Sequence, residues 1–250
     1  MKKYLTIKVF PILLGVCMTS AALADGVTLH VLGGISLGDQ GNTQNLTLNS
    51  AYESQYNTSS QESLSPFIGL GVGYQWDQVL VSQFAFNLSA DAYYLQSNLS
   101  GTTSAIVGGQ SFNELNYTLS QNSTAIMLEP KFIYTAYSWQ PYVLFGLGFS
   151  INQLGDYNET TPAGSGIVPV TPQFQHHTDT HFAYSFGVGM QHTLLTSQGG
   201  NTLALAVEYR YMNWGEMGLG PAPGQETSQS IQYNTVQSNL IDAGLIWQFN

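Results

Sequence analysis

Every second residue is apolar in eight separate stretches of this chain, and the residues between them are mostly small or polar. A period of two is typical of a β-strand with two unlike faces, because successive side chains of a strand point to opposite sides. The stretches lie at 27–37, 67–76, 83–94, 125–134, 142–151, 181–191, 203–212 and 240–249. The alternation therefore predicts an all-β fold of eight strands.

The connections between these stretches are alternately long and short. The long ones are 39–63, 97–122, 152–179 and 213–237, and the short ones are 77–80, 136–140 and 194–201. A soluble sandwich would also alternate, but loops of roughly 20 residues are uncommon inside compact soluble domains. Long external loops and short periplasmic turns are typical of bacterial outer-membrane barrels. We therefore predict a transmembrane, antiparallel, up-and-down β-barrel with four long external loops and three short periplasmic turns.

The start of the chain has the features of an export signal. A basic beginning is followed by an apolar stretch too short to span a bilayer, and then by Ala22-Leu23-Ala24, the A-x-A pattern of a signal-peptidase site. We predict a signal peptide at 1–24 and a barrel at 25–250. Cys17 could instead carry a lipid, but Val16 stands where that modification needs a small residue, and the A-x-A site accounts better for the region.

Charge is scarce in the predicted mature chain. Lys131 and Arg210 are its only basic residues, and against fifteen acids they give a formal charge of −13. Such a surface repels phosphate backbones, so we expect no nucleic-acid partner. Charged residues make up 8% of the chain, far below the roughly 25% of soluble domains. After 1–24, no stretch reaches the roughly 18 uninterrupted apolar residues of a spanning helix.

The alternation places both of these cations and four acids on the inward faces of the strands. An eight-stranded barrel is about wide enough for its own side chains to fill, and an unpaired buried charge is strongly destabilising. We predict that carboxylates bridge Lys131 and Arg210 across the interior and so plug it. The alternative is a narrow passive channel for small solutes, biased towards cations by the excess of acids. The predicted interior charge network consists of Asp91, Glu129, Lys131, Glu208, Arg210 and Asp242.

Aromatic residues stand near both ends of the predicted strands. Rings prefer the two interfaces of a membrane, so this placement predicts two aromatic girdles. Aromatic residues are also common in any sheet, which is the alternative explanation. The interfacial aromatics predicted near the periplasm are Trp76, Trp139, Trp247 and Phe249, and those predicted near the outer rim are Tyr94, Tyr209, Tyr211 and Trp214.

Three pieces of the sequence carry a resemblance to a known family. They are 141–149 (PYVLFGLGF), 208–212 (EYRYM) and 244–249 (GLIWQF). With the pattern of 25–250, they resemble the OmpA-like and opacity-type family of small outer-membrane barrels. The resemblance implies an outer-membrane location among phospholipid and lipopolysaccharide. It also implies recognition of a terminal aromatic by the barrel-assembly machinery, although here Asn250 follows Phe249.

No pattern in the sequence predicts catalysis or a cofactor. The motifs G-x-S-x-G and H-E-x-x-H are absent, and the inward glycines do not form G-x-G-x-x-G. Residues 176–181 hold three histidines and an aspartate, which could ligate Zn²⁺ or Cu²⁺. They stand at a loop end without fixed geometry, so a solvated polar loop is the favoured interpretation. We expect no enzyme, cofactor or metal, with a lipid-modifying or proteolytic barrel as the alternative.

The predicted external loops suggest a function at the cell surface. They are polar, nearly uncharged and contain tyrosines, a composition typical of adaptable binding loops. We predict a structural or surface-interaction (adhesin-like) role, with a host or envelope ligand on the loops. The narrow passive channel is the alternative. The loop tyrosines are Tyr52, Tyr56, Tyr117, Tyr157 and Tyr233.

Overall fold

The computed structural model describes residues 25–39, 43–49, 52–58, 63–79, 81–107, 110–162 and 174–250. The predicted signal peptide at 1–24 lies outside these residues. The described residues form ten strands: β1 (Gly26–Asp39), β2 (Thr43–Asn49), β3 (Tyr52–Thr58), β4 (Ser63–Trp76), β5 (Phe84–Val107), β6 (Gln110–Tyr134), β7 (Trp139–Thr160), β8 (His177–Thr196), β9 (Thr202–Gly218) and β10 (Gln232–Phe249).

Eight of the described strands close into a ring in the order β1-β4-β5-β6-β7-β8-β9-β10. The first and last strands of the chain complete it, because β1 pairs with β10 from Val27–Phe249 to Asp39–Gln237. All neighbours in the ring are antiparallel. A closed sheet gives each strand two partners, as the hydrocarbon of a membrane requires. The predicted eight-stranded barrel is confirmed.

Short connections join the ring at the end that carries the chain termini. They run between β4 and β5, β6 and β7, and β8 and β9. Two are closed by backbone hydrogen bonds, from Val79 N to Phe84 O (2.8 Å) and from Ser197 N to Asn201 O (2.8 Å). The three predicted periplasmic turns therefore lie where the sequence places them.

The strands continue further at the other end than the sequence predicts. β5 and β6 stay paired out to Val107–Gln110, so most of 97–122 is strand rather than loop. The stretch 39–63 contains β2 and β3, which pair with each other, and β3 also pairs with β5. Beyond the membrane the outer face of a strand is in water and needs no apolar side chains, although the inner face stays buried. Alternation therefore marks the part in lipid and misses these extensions.

The two faces of the barrel wall differ in polarity. Large apolar side chains such as Leu70, Phe145 and Val188 are exposed on the outer face, and polar ones such as Thr28 and Ser150 are buried inside. A soluble protein has the opposite distribution, with apolar side chains inside and polar ones outside. The distribution seen here suits a wall surrounded by lipid. Among the described residues, no helix is long and apolar enough to cross a membrane.

Candidate functional site: the barrel interior

Arg210 on β9 is the centre of the interior charge network. Its side chain is 2% exposed, and Nε and Nη2 each lie 2.7 Å from Glu208 Oε1. Nη1 donates to Oε1 of Glu129 on β6. Both acids are buried. One guanidinium therefore joins carboxylates from two strands, the arrangement for which its fixed fork of donors is suited.

Two tyrosines hold the other oxygens of these carboxylates. Tyr93 OH donates to Glu129 Oε2 (2.9 Å), and Tyr142 OH donates to Glu208 Oε2 (3.0 Å). The Tyr93 ring also lies under the guanidinium, with 4.5 Å between Arg210 Cζ and the ring centroid. Sequence analysis did not assign either tyrosine to the network. The available signal was that the alternation turns both tyrosines inward, and that Tyr93 stands next to the inward Asp91 on its strand.

Wall glycines make room for these rings. A methyl group at Gly189 would lie 2.5 Å from Tyr142 Cζ, and one at Gly69 would lie 2.9 Å from Tyr93 Cδ1. A larger residue at Gly189 would therefore push Tyr142 away from Glu208, and one at Gly69 would displace both Leu32 and Tyr93. These glycines therefore support the network by leaving room for the two rings, not by forming hydrogen bonds with them.

Lys131 lies differently from the prediction. Among the described residues, no carboxylate oxygen is within 4.0 Å of its ammonium group; instead Nζ lies 4.6 Å from the centroid of the Tyr142 ring. The contact is a cation–π interaction. Arg210 alone thus forms the predicted ion pairs, and Lys131 balances the surrounding acids at longer range.

The remaining two acids of the predicted network differ in their contacts. Asp91 accepts from Ser89 Oγ and lies 3.4 Å from Nδ1 of His30, a residue that sequence analysis did not assign to the network. Asp242 is buried, and its Oδ2 has no hydrogen-bond partner among the described residues. The cavity that these side chains enclose with Lys131 measures about 20 Å³. That is room for about one water molecule.

A hydrophobic cluster blocks the interior on the external side of the network. The rings of Tyr56, Tyr117 and Tyr157 pack together there with Phe174, which follows β7 in the chain. Phe174 lies 5.7 Å from Tyr56 and 5.2 Å from Tyr157, measured between ring centroids. The fully buried Trp214 belongs to the same cluster. Its Nε1 donates to Ser238 Oγ (3.2 Å).

This cluster corrects the role predicted for the loop tyrosines. Tyr56, Tyr117, Tyr157 and Tyr233 are all buried, so they are core residues rather than contact surface. They lie on the inner face of strands that continue past the membrane. Tyr52 is described only as a backbone position at the start of β3.

Some of the predicted interfacial aromatics are exposed on the outer face of the barrel, and others are not. Trp139, Trp247 and Phe249 are exposed at strand ends near the short turns. Trp76 is half-buried and stacks on Phe86, with 5.6 Å between centroids.

At the outer rim, Tyr94 and Tyr209 face outward as predicted, but Trp214 faces the interior. The pairing of β9 with β10 shifts register beside Gly215, whose φ is +80°. The shift ends the alternation, and Met212, Asn213 and Trp214 are buried in succession.

The histidines of 176–181 do not converge on one point. His176 Nε2 lies 3.3 Å from Asp156 Oδ1, whereas His177 Nε2 lies 3.0 Å from Asp179 Oδ1. Within the part of the chain that the structure describes, no three residues among His, Cys, Asp and Glu are placed to hold a metal ion. His176 and His177 therefore contact two different aspartates.

A closed antiparallel ring with an apolar outer face and a polar, charge-paired interior defines an integral β-barrel of the bacterial outer membrane. The chain belongs to the family described as "Outer membrane protein beta-barrel domain", which matches residues 10–249. Membrane lipid is therefore its environment. No curated protein matches the sequence.

Solved structures similar to this chain are remote in sequence. Neisserial surface protein A is 11% identical, with a TM-score of 0.39, over 92% of this chain and 100% of that one. The outer membrane protease OmpT from Escherichia coli is 9% identical, with a TM-score of 0.46, over 92% and 99%. The outer membrane protein AlkL is 12% identical, with a TM-score of 0.34, over 100% and 94%.

Proposed function

We propose that this protein is a sealed barrel with a structural or surface-interaction role, in which the external end of the barrel contacts a ligand of the host or the envelope. The observation that carries the proposal is the filled interior. A pathway for solutes would need a continuous opening, and the cavity at the charge network measures only about 20 Å³.

Two barriers in series support the sealed barrel over the passive channel. The first is the set of ion pairs around Arg210, and the second is the hydrophobic cluster with Trp214. The two barriers differ in chemistry. The ion pairs fill the interior with fixed charges, whereas the hydrophobic cluster excludes water and with it dissolved ions. Loss of one barrier leaves the other in place.

The surface-interaction role is supported by the outer ends of the strands. They rise past the apolar belt and present exposed amide and hydroxyl side chains, among them Asn45, Asn116, Thr118 and Asn158. Such side chains offer donors and acceptors without charge, as in adaptable binding surfaces. Because Tyr56, Tyr117, Tyr157 and Tyr233 are buried, these neutral polar groups rather than those tyrosines contribute to the exposed surface at this end.

Planar-bilayer conductance tests the sealed barrel. We expect no steady open level from the wild-type protein, nor from Arg210→Ala or Trp214→Ala alone, because each variant keeps one barrier. The double variant is expected to conduct. A steady open level from correctly folded wild-type protein would refute the seal and favour the passive channel.

We also propose that the barrel is not an enzyme. The proposal is supported by the engagement of Glu129 and Glu208 with Arg210, which leaves neither carboxylate free as a general base. The test covers both alternatives, a lipid-modifying barrel and a proteolytic barrel. Lipid A profiles and cleavage of a peptide library should be identical for cells with and without the protein. A reproducible difference in either would establish catalysis.

A further inference from the structure

A second cavity lies inside the barrel at the end that carries the short turns. It measures about 280 Å³, against about 20 Å³ for the cavity at the charge network. Ile246 on β10 lines both cavities and so separates them. With Ala204 on β9 it forms a buried apolar floor. The larger cavity, here called the vestibule, is therefore a blind space on the periplasmic side of the sealed interior.

Neutral amide side chains from four strands line the wall of the vestibule. Three of them are buried on the inner face of the barrel, and the fourth is half-buried. The four are Gln75 on β4, Gln140 on β7, Gln191 on β8 and Gln248 on β10. A ligand in the vestibule would thus meet hydrogen-bonding groups from several sides above an apolar floor, a combination typical of small-molecule sites.

These amides use only part of their hydrogen-bonding capacity within the protein. The three bonds they make run from Gln75 Nε2 to Asp77 Oδ1 (2.8 Å), from Gln191 Nε2 to Gln140 Oε1 (3.1 Å) and from Gln248 Nε2 to Asn250 Oδ1 (2.9 Å). Within the described residues, the three donors keep their Oε1 atoms without a protein partner, and Gln140 keeps its amide nitrogen. The vestibule therefore offers three acceptors and one donor group to a ligand.

Charge restricts what can bind there. Both cations of the predicted mature chain, Lys131 and Arg210, are buried in the charge network on the other side of Ile246. Among the described side chains that line the vestibule, Asp77 is the only charged one. An anionic ligand would meet a carboxylate and no cation, so a neutral ligand is favoured.

We propose that the vestibule binds a neutral acetamido sugar from the periplasm. The hydroxyl groups of the sugar donate to the glutamine Oε1 atoms, its acetyl carbonyl accepts from Gln140 Nε2, and its methyl group packs on Ala204 and Ile246. At roughly 30 Å³ per water molecule, the vestibule has the space of about nine waters. That suits one sugar unit. The site is at the end opposite the proposed external contact, so it stands or falls apart from that function and from conductance.

Saturation-transfer NMR of the full mature barrel in detergent micelles, with N-acetylglucosamine as the probe, tests the proposal. We expect transfer to be strongest at the acetyl methyl group, because that group contacts the floor. Glucose lacks the acetamido group and should bind at least tenfold more weakly, the loss of about one hydrogen bond of roughly 1.4 kcal/mol. Absence of transfer to N-acetylglucosamine would overturn the site, and equal binding of glucose would overturn the recognition of the acetamido group.

Variants locate the binding. Gln140→Met removes the donor with little change of size and should weaken binding by about tenfold. Gln153→Met is the matched control, because Gln153 is exposed at the external end of the same strand, β7. It should bind like the wild-type protein, and equal binding by the two variants would overturn the location. Ala204→Leu fills the floor and should abolish binding. The fast migration of unboiled protein on gels checks that each variant is folded.

The same sugar chemistry has two sources, a free monosaccharide and the end of a glycan chain. Chitobiose, in which a second acetamido sugar extends from the first, distinguishes them. Tighter binding of chitobiose than of N-acetylglucosamine supports a glycan end whose next unit contacts the rim, and equal binding supports the free sugar.

Discussion

Removal of the Arg210 side-chain charge is the sharpest perturbation of the interior. Arg210→Met leaves Glu129 and Glu208 buried without a cation at hydrogen-bond distance, whereas both are paired in the wild-type protein. Breaking a buried ion pair by removing one partner costs about 3–5 kcal/mol. That corresponds to roughly two to nearly four powers of ten in the unfolding equilibrium constant.

Urea unfolding in phospholipid vesicles, followed by tryptophan fluorescence and by gel mobility without boiling, measures this loss. Two variants serve as controls. Lys131→Met should cost less, about 2 kcal/mol at most, because Lys131 contacts a ring rather than a carboxylate. Arg210→Met combined with Glu129→Gln and Glu208→Gln should recover most of the stability, because no uncompensated charge remains in that trio.

Equal losses for Arg210→Met and Lys131→Met would refute this reasoning. Such a result would mean that the interior responds to net charge alone. The pairing geometry around the guanidinium would then contribute nothing of its own.

Three further changes can be measured in the same unfolding assay. Trp214→Ala should lower stability by about 3–5 kcal/mol through the cavity it leaves, and a loss below about 1 kcal/mol would contradict a packed cluster. Gly71→Ala directs a methyl group at the Asp91 carboxylate and should cost about 1–3 kcal/mol, whereas Gly199→Ala, whose nearest neighbour atom would be 3.8 Å away, should be neutral. Burial raises the pKa of Asp77 in a periplasmic turn, so its favourable contribution is present at low pH and is lost as pH rises through that pKa. Asp77→Asn should therefore be more stable than wild type near pH 7 and equal to it near pH 3, and a constant difference across pH would contradict the shift.

The strands within the membrane could be predicted from the sequence alone. Lipid on one side and a filled interior on the other impose a period of two on each strand, and that pattern is local to the strand. It assigned the inward side of Asp91, Glu129 and Arg210 without any knowledge of their neighbours. The same pattern located the three short turns, because alternation stops at each of them.

Contacts between strands could not be predicted in this way. They depend on register, which brings residues far apart in the chain to the same level of the wall. Register placed Lys131 over Tyr142 instead of beside a carboxylate, and a shift beside Gly215 turned Trp214 inward. Burial of Tyr56 and Tyr117 likewise required that the strands stay paired beyond the lipid.

The sequence by itself determined the class of fold, the polarity of each face and the inward position of both cations, because each of these follows from the environment of a single strand. Only the tertiary structure decided which inward groups meet and how the external end is filled. These features follow from the alignment of one strand against the next, which no single stretch of sequence encodes.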